Sequence, residues 1–273
     1  MQCRIFLSMI LGRCKVFPNF SVAPVLMSKL FQKINEMSLI TAQWHKPLLA
    51  VYTVPREILE PFLPKYTELD LFNGNCLVYL AAFRYKRISL GEKKIPLIKQ
   101  IQEVSLRFCV KHFNGAVWQK GDSVISRIIE QLPVPIPTGL FVEEDLKELP
   151  SRFESEEEED RLRVKYSWLF REKWQFFAAD ADKGMSPVNE GSEQSFVLNR
   201  PFTFFRSSTG KTLVTQYSGA SFQLYGVTEY ELEVDFSFLI GSRFSILNQA
   251  VPRLVMFSEG AIRTFQKPVE VSS

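Results

Sequence analysis

The chain has 273 residues, 46% apolar and 23% charged, which is the composition of an ordinary globular protein long enough to bury a full core. Lys plus Arg number 33 against 30 Asp plus Glu, and that excess of three sits in residues 1–26, where Arg4, Arg13 and Lys15 stand without an acid. The remaining body is neutral and lacks the basic face that a phosphate backbone demands, which argues against a nucleic-acid partner.

The apolar run Ile5–Gly12 is far shorter than the roughly 20 residues that span a bilayer. No other segment reads as a transmembrane helix. Arg13 and Lys15 follow the run at once, where a cleavable secretory signal needs small neutral residues. Two readings stay open: an organelle presequence, mitochondrial or plastid, and an over-extended start, because Met27 opens a second plausible one. The expected compartment is the cytoplasm, with the organelle as alternative. Leu30, Phe31, Ile34 and Met37 share one side of a helical wheel and predict a short amphipathic helix over 28–37. The organisation expected is therefore 1–39 as leader plus helix and 40–273 as one domain.

Leu48–Val54 is a β-favouring run stopped by Pro55, and Pro55–Pro64 reads as a short helix between prolines. Three hairpin signals follow, at Asn73-Gly74, Asn114-Gly115 and Thr209-Gly210, each between apolar stretches. Further strands are expected at Ser123–Ile129, Leu162–Phe170, Trp174–Ala178 and Val227–Phe238, then a helix at Ser242–Ala250. Arg253–Phe257 with Ala261–Phe265 would form a terminal strand pair. Many strands, tight turns and few helices predict a mainly β, α+β fold: an antiparallel sheet that curls or closes into a barrel. The run Glu154–Asp160 reads as a solvated loop, because like charges repel and extend the chain.

Cys3, Cys14, Cys76 and Cys109 are too few and scattered for a disulfide scaffold, and His45 and His112 stand 67 positions apart. No metal and no cofactor is expected. Cys76 and Cys109 read as small strand residues in a reducing compartment. Ser208–Thr212 echoes the end of a phosphate loop but lacks its first glycine and sits in a hairpin turn. Gly219-Ala-Ser221 is no nucleophile elbow.

The stretch Glu103-Val-Ser-Leu-Arg-Phe-Cys-Val110 alternates cleanly. Glu103, Ser105, Arg107 and Cys109 share one face and Val104, Leu106, Phe108 and Val110 the other. On a surface strand the polar face meets water. In a closed, covered barrel it lines the lumen, where the carboxylate and guanidinium need each other or a ligand. The strand alone leaves both readings open.

Trp44-His-Lys-Pro-Leu-Leu49, Leu63–Gly74, Glu103–Phe108, Tyr225–Phe236 and Phe257-Ser-Glu-Gly260 resemble, in order and spacing, the YqjF-like family of uncharacterised proteins over roughly residues 40–268. That family is similar to acetoacetate decarboxylases, which implies a cone-shaped antiparallel β-barrel with a cavity and raises a homo-oligomer as a partner. Those enzymes form a Schiff base on a lysine kept uncharged by a neighbouring cation. Laid on Ile136 and Gly139, their pattern puts Lys147 at the reactive lysine; the spacing from Glu103 through the following strand matches it to a family carboxylate, and His45 lies where those enzymes carry a substrate-facing arginine. Here Leu140-Phe141 replaces Arg-Glu, Leu146 replaces the proline and Glu148 replaces the second lysine. Glu143, Glu144 and Asp145 add anions that favour the charged ammonium over the free amine.

The expectation is a barrel that binds a small carbonyl or carboxylate compound through Glu103, Ser105, Arg107 and His45, without decarboxylating it. One alternative is a lyase with Lys147 as nucleophile and Glu103 beside it. Another is a non-catalytic interaction protein that uses its acidic run.

Overall fold

The computed structural model describes residues 39–91, 93–94, 100–130, 145–207 and 209–271. The leader, the helix expected over 28–37 and the segment 131–144 lie outside the described residues. The described chain is mainly β with few helices.

Strand β1 (Leu39–Val54) begins nine residues before the expected run. After it come a short helix α1 (Arg56–Leu59) and a 3-10 turn, as the flanking prolines predict. The strands β2 (Glu68–Leu69), β3 (Leu71–Phe72), β4 (Asn75–Leu90), β5 (Lys93–Lys94), β6 (Gln100–Phe113) and β7 (Trp118–Glu130) follow. β8 (Leu146–Leu149), β9 (Ser151–Glu157), β10 (Arg161–Phe170) and β11 (Lys173–Pro187) precede helix α2 (Glu193–Leu198). Then come β12 (Phe202–Arg206), β13 (Thr212–Gly219), β14 (Gln223–Glu233), helix α3 (Phe236–Leu239), β15 (Leu254–Ser258), β16 (Gly260–Gln266) and β17 (Val269–Glu270). The three turn dipeptides fall where the hairpins were expected.

β1, β4, β6, β7, β12, β13 and β16 pair in succession and β16 returns to β1, closing a seven-stranded barrel. All of these pairs are antiparallel except β7 with β12. A second sheet grows from the far half of β1 through β15, β14, β11, β10 and β9. β4 and β6 therefore have a barrel on one face and a second core on the other, and both faces of β6 are buried from Ile101 to Val110. Val104, Leu106, Phe108 and Val110 pack against Tyr166, Trp168 and Phe177 of the second sheet. On the lumen face Tyr79, Ala81, Phe83 and Cys109 join Leu49, Val197, Leu198 and Phe222.

Four local expectations are corrected. β15 and β16 do not pair with each other: they lie end to end along β1, opposite Leu48–Val51 and Leu39–His45 respectively. The break between them faces an irregularity in β1 between His45 and Leu48, where Lys46 has φ +54 and its N–H donates to the Glu259 carbonyl at 3.0 Å. Gly260, at φ +97, is required there, since a Cβ would lie 1.8 Å from the Trp44 carbonyl oxygen. This double break lets one long strand serve the barrel and then the second sheet.

The first half of the acidic run, Glu154–Glu157, is strand, and only Glu158–Asp160 form the exposed loop that was expected of the whole run. Glu154 stands opposite Lys165 and Glu156 opposite Arg163, so cross-strand cations offset the repulsion that the run alone would suffer. The strand expected over Val227–Phe238 ends at Glu233 and turns into α3. The helix expected at Ser242–Ala250 is a 3-10 helix over Ser242–Asn248. Helix α2, which the sequence reading did not single out, is capped by the Ser192 hydroxyl accepting from the Ser195 N–H.

Candidate functional site

The polar face of β6 lines the barrel lumen, where it builds a continuous ion network with β4, β7 and β12. Glu103 is 0% exposed and Arg107 3%. Arg107 donates through Nη2 to Glu103 Oε1 at 2.7 Å, through Nη1 to Asp122 Oδ2 at 3.1 Å and through Nε to Ser105 Oγ at 2.8 Å. Arg127 Nε lies 3.3 Å from Glu103 Oε1, and the Tyr85 hydroxyl donates to Glu103 Oε2 at 2.9 Å. Asp122 also accepts from the Tyr79 hydroxyl at 2.7 Å and from the Thr203 hydroxyl at 2.8 Å.

Glu103 and Arg107 are each held ionised by their neighbours. Burial pushes the Glu103 carboxyl up, but the Arg127 and Arg107 guanidiniums outweigh it and hold it below its ordinary value. Burial likewise opposes the charge on Arg107, and Asp122 and Glu103 overcome it. Desolvation alone would neutralise such groups, so the network stands because its partners are buried with it.

Beside the network lies a narrow cavity of about 30 Å³, room for one or two waters. Arg107, Asp122 and Tyr79 supply its polar wall, and Trp44, Phe83 and Phe222 its aromatic one. Trp44 stacks on Phe83 with ring centroids 4.6 Å apart. Val197 and Leu198 of α2 bound one side of the cavity. Arg200, just beyond the helix, ties it to the barrel: Nη1 donates to the Gly121 carbonyl and Nη2 to Asp70, each at 2.8 Å.

The expected site residues divide between the two faces of the shared sheet. Glu103, Ser105 and Arg107 come together in the lumen. His45 stands opposite Arg84, whose neighbour in register is Gln102, on the face that carries Val104. There it lies 3.6 Å from Glu259, which pairs with Lys46 and accepts from the Tyr225 hydroxyl at 2.7 Å. Burial, together with Lys86, Lys46 and Arg84 and against Glu259, lowers the His45 imidazole to about 4, so at neutral pH it is uncharged. Lys147 on β8 donates to Ser126 Oγ at 3.2 Å and pairs with Asp145. Ser126 stands opposite Leu106, which puts this contact on the face away from Glu103 as well.

Asp122 and Arg127 did not emerge from the sequence. Five positions apart, they would fall on opposite faces of a regular strand. A bulge in β7 opposite Leu106 and Arg107 shifts the phase and turns both into the lumen. Tyr79 sat in an apolar run and Tyr85 between Arg84 and Lys86, with nothing to single either out. Arg263 on β16, also buried on the lumen face, has only the apolar Ala261 and Phe265 beside it on that face, so no polar grouping signalled it.

Among the described residues no helix is long and apolar enough to cross a membrane. A comparison with curated proteins finds no match. Solved structures share the fold. An acetoacetate decarboxylase from Legionella pneumophila matches with a TM-score of 0.54 at 13% identity, covering 85% of this chain and 87% of that one. An acetoacetate decarboxylase-like enzyme from Sphingomonas wittichii RW1 matches with 0.59 at 11% identity, covering 86% and 93%. The enduracididine biosynthesis enzyme MppR, complexed with pyruvate, matches with 0.55 at 10% identity, covering 86% and 90%. The barrel is thus of the acetoacetate decarboxylase-like kind. Residues 41–261 match the profile of a family described as an uncharacterized conserved protein (COG2071), and with that share of its length the chain belongs to the DUF2071 family.

Proposed function

We propose that this protein binds a small carboxylate- or carbonyl-bearing compound within the seven-stranded barrel, and that it does so without Schiff-base decarboxylation. The carrying observation is the division of residues between faces: Glu103, Ser105 and Arg107 meet in the lumen, and Lys147 pairs with Asp145 across the sheet. A Schiff-base lysine needs a free amine beside the substrate and, in this chemistry, a cationic neighbour to keep it uncharged. Lys147 has an anion beside it instead, and no lysine lines the cavity among the described residues.

The cavity as it stands admits only water, so a ligand requires its wall to shift. Leu198 and Phe222 bound it from α2 and from the link between β13 and β14, segments outside the closed ring of strands. Their movement leaves the barrel pairing intact. The MppR complex with pyruvate supports the choice of ligand class by analogy of fold.

The test is incubation with acetoacetate followed by borohydride reduction and peptide mass mapping, beside an NMR titration with pyruvate. The expected result is unmodified Lys147 together with pyruvate-dependent shifts of lumen resonances. A reduced adduct on Lys147 would show Schiff-base chemistry and overturn the reading, as would the absence of any pyruvate-dependent shift.

A further inference from the structure

Among the described residues, one cation of the lumen has no carboxylate to answer it. Among the described residues its buried charged groups are Glu103, Asp122, Arg107, Arg127 and Arg263, beside the mutually paired Arg200 and Asp70 next to Cys109. Glu103 and Asp122 engage Arg107 and Arg127. Arg263 is 6% exposed and has no carboxylate partner, and its Nε has no hydrogen-bond acceptor. What it has is aromatic: its guanidinium lies 4.4 Å from the Phe222 ring centroid and 5.7 Å from those of Trp44 and Tyr217.

Aromatic faces attract a guanidinium but accept few of its N–H bonds, and a buried cation without a counter-ion is costly. Burial accordingly presses the Arg263 guanidinium below its ordinary value, with Tyr217 only partly opposing. A second donor waits nearby: the Trp44 Nε1–H is buried and has no acceptor. All three rings around Arg263 also belong to the cavity wall. The backbone makes room for this side chain, since a Cβ on Gly219 would lie 2.9 Å from Arg263 Nη1.

We propose that Arg263, assisted by the Trp44 indole N–H, is the anion anchor of the lumen, and that the ligand is a small monocarboxylate whose charge answers that guanidinium. The carboxylate takes the donors that the network leaves over, while Arg107 and Asp122, already committed to each other, shape the polar wall. This rests on the lumen-binding reading above and names its ligand class.

The experiment compares pyruvate with its neutral amide, pyruvamide, by NMR titration of the full chain, unaltered and as Arg263→Lys, Arg263→Met and the surface control Arg152→Gln. The expected result is that pyruvate binds the unaltered protein and Arg152→Gln at least tenfold more tightly than pyruvamide. Arg263→Met abolishes that preference, Arg263→Lys retains part of it, and the Arg263 Nε–Hε resonance of the unaltered protein moves with pyruvate only. That resonance keeps the test decisive even where a variant fails to fold. Equal binding of acid and amide, a preference that survives Arg263→Met, or a stationary Nε–Hε resonance overturns the anchor and leaves lumen binding standing. Binding of neither compound overturns both.

Discussion

Replacing Glu103 with Gln keeps the volume of the side chain and removes its charge from the middle of the lumen network. The carboxylate engages Arg107 at 2.7 Å and Arg127 at 3.3 Å through one oxygen and the Tyr85 hydroxyl at 2.9 Å through the other. An amide offers one oxygen, and its NH2 group then meets a donor. Breaking a buried ion pair by removing one partner costs about 3–5 kcal/mol. Arg107 keeps Asp122 and Ser105, so the lower end applies, about 3 kcal/mol. For a chain of this size that corresponds to a fall of roughly 6–12 °C in Tm. Urea denaturation followed by tryptophan fluorescence measures it directly. Glu103 titrates below its unfolded value of about 4.3, so its contribution is complete above that pH and is lost as pH falls through the folded value. Glu103→Gln should therefore also flatten the acid limb of the stability profile. A loss under about 1 kcal/mol, with an unchanged acid limb, would refute a network held together by desolvated charges.

His45 should show no imidazole titration by NMR until the pH nears 4, and with only two histidines in the chain its resonance is readily assigned. Since the unfolded imidazole protonates near 6.5, stability falls as pH drops from there toward 4, and His45→Gln removes that slope; a midpoint near 6.5 would contradict the burial and the surrounding cations. Burial pushes the Cys109 thiol up to about 12, so peptide mapping after brief alkylation should find it unmodified in the native protein and modified in denaturant. Gly260→Ala should cost more than about 2 kcal/mol by chemical denaturation, because the new Cβ meets the Trp44 carbonyl at 1.8 Å and the residue must hold a positive φ; a neutral change would mean that the paired breaks in β1 and β15–β16 are not needed.

Much of the site was legible one strand at a time. Glu103, Ser105 and Arg107 stood on one face of a regular strand, and period-two alternation carries such a grouping without any knowledge of neighbours. The alternation could not say whether that face met water or a lumen, since both require the same residue pattern. His45 was grouped with them through family resemblance, and the irregularity after it in β1 is invisible to such a match. Trp44 takes the lumen position and His45 the opposite one. Asp122 and Arg127 were hidden for the same kind of reason, a bulge that changes phase between them.

The amino-acid sequence by itself determined the strand-rich class, the turn positions, the neutral charge of the body and the family, because each of these rests on local chemistry or on a linear pattern. Only the tertiary structure decided which strand faces turn inward, that the barrel closes through a parallel pair of β7 with β12, and that, among the described residues, Arg263 is left in the lumen without a carboxylate partner. Those outcomes depend on register and on bulges, each of which shifts many side chains at once, and on contacts between residues as far apart in the chain as Leu39 and Gln266.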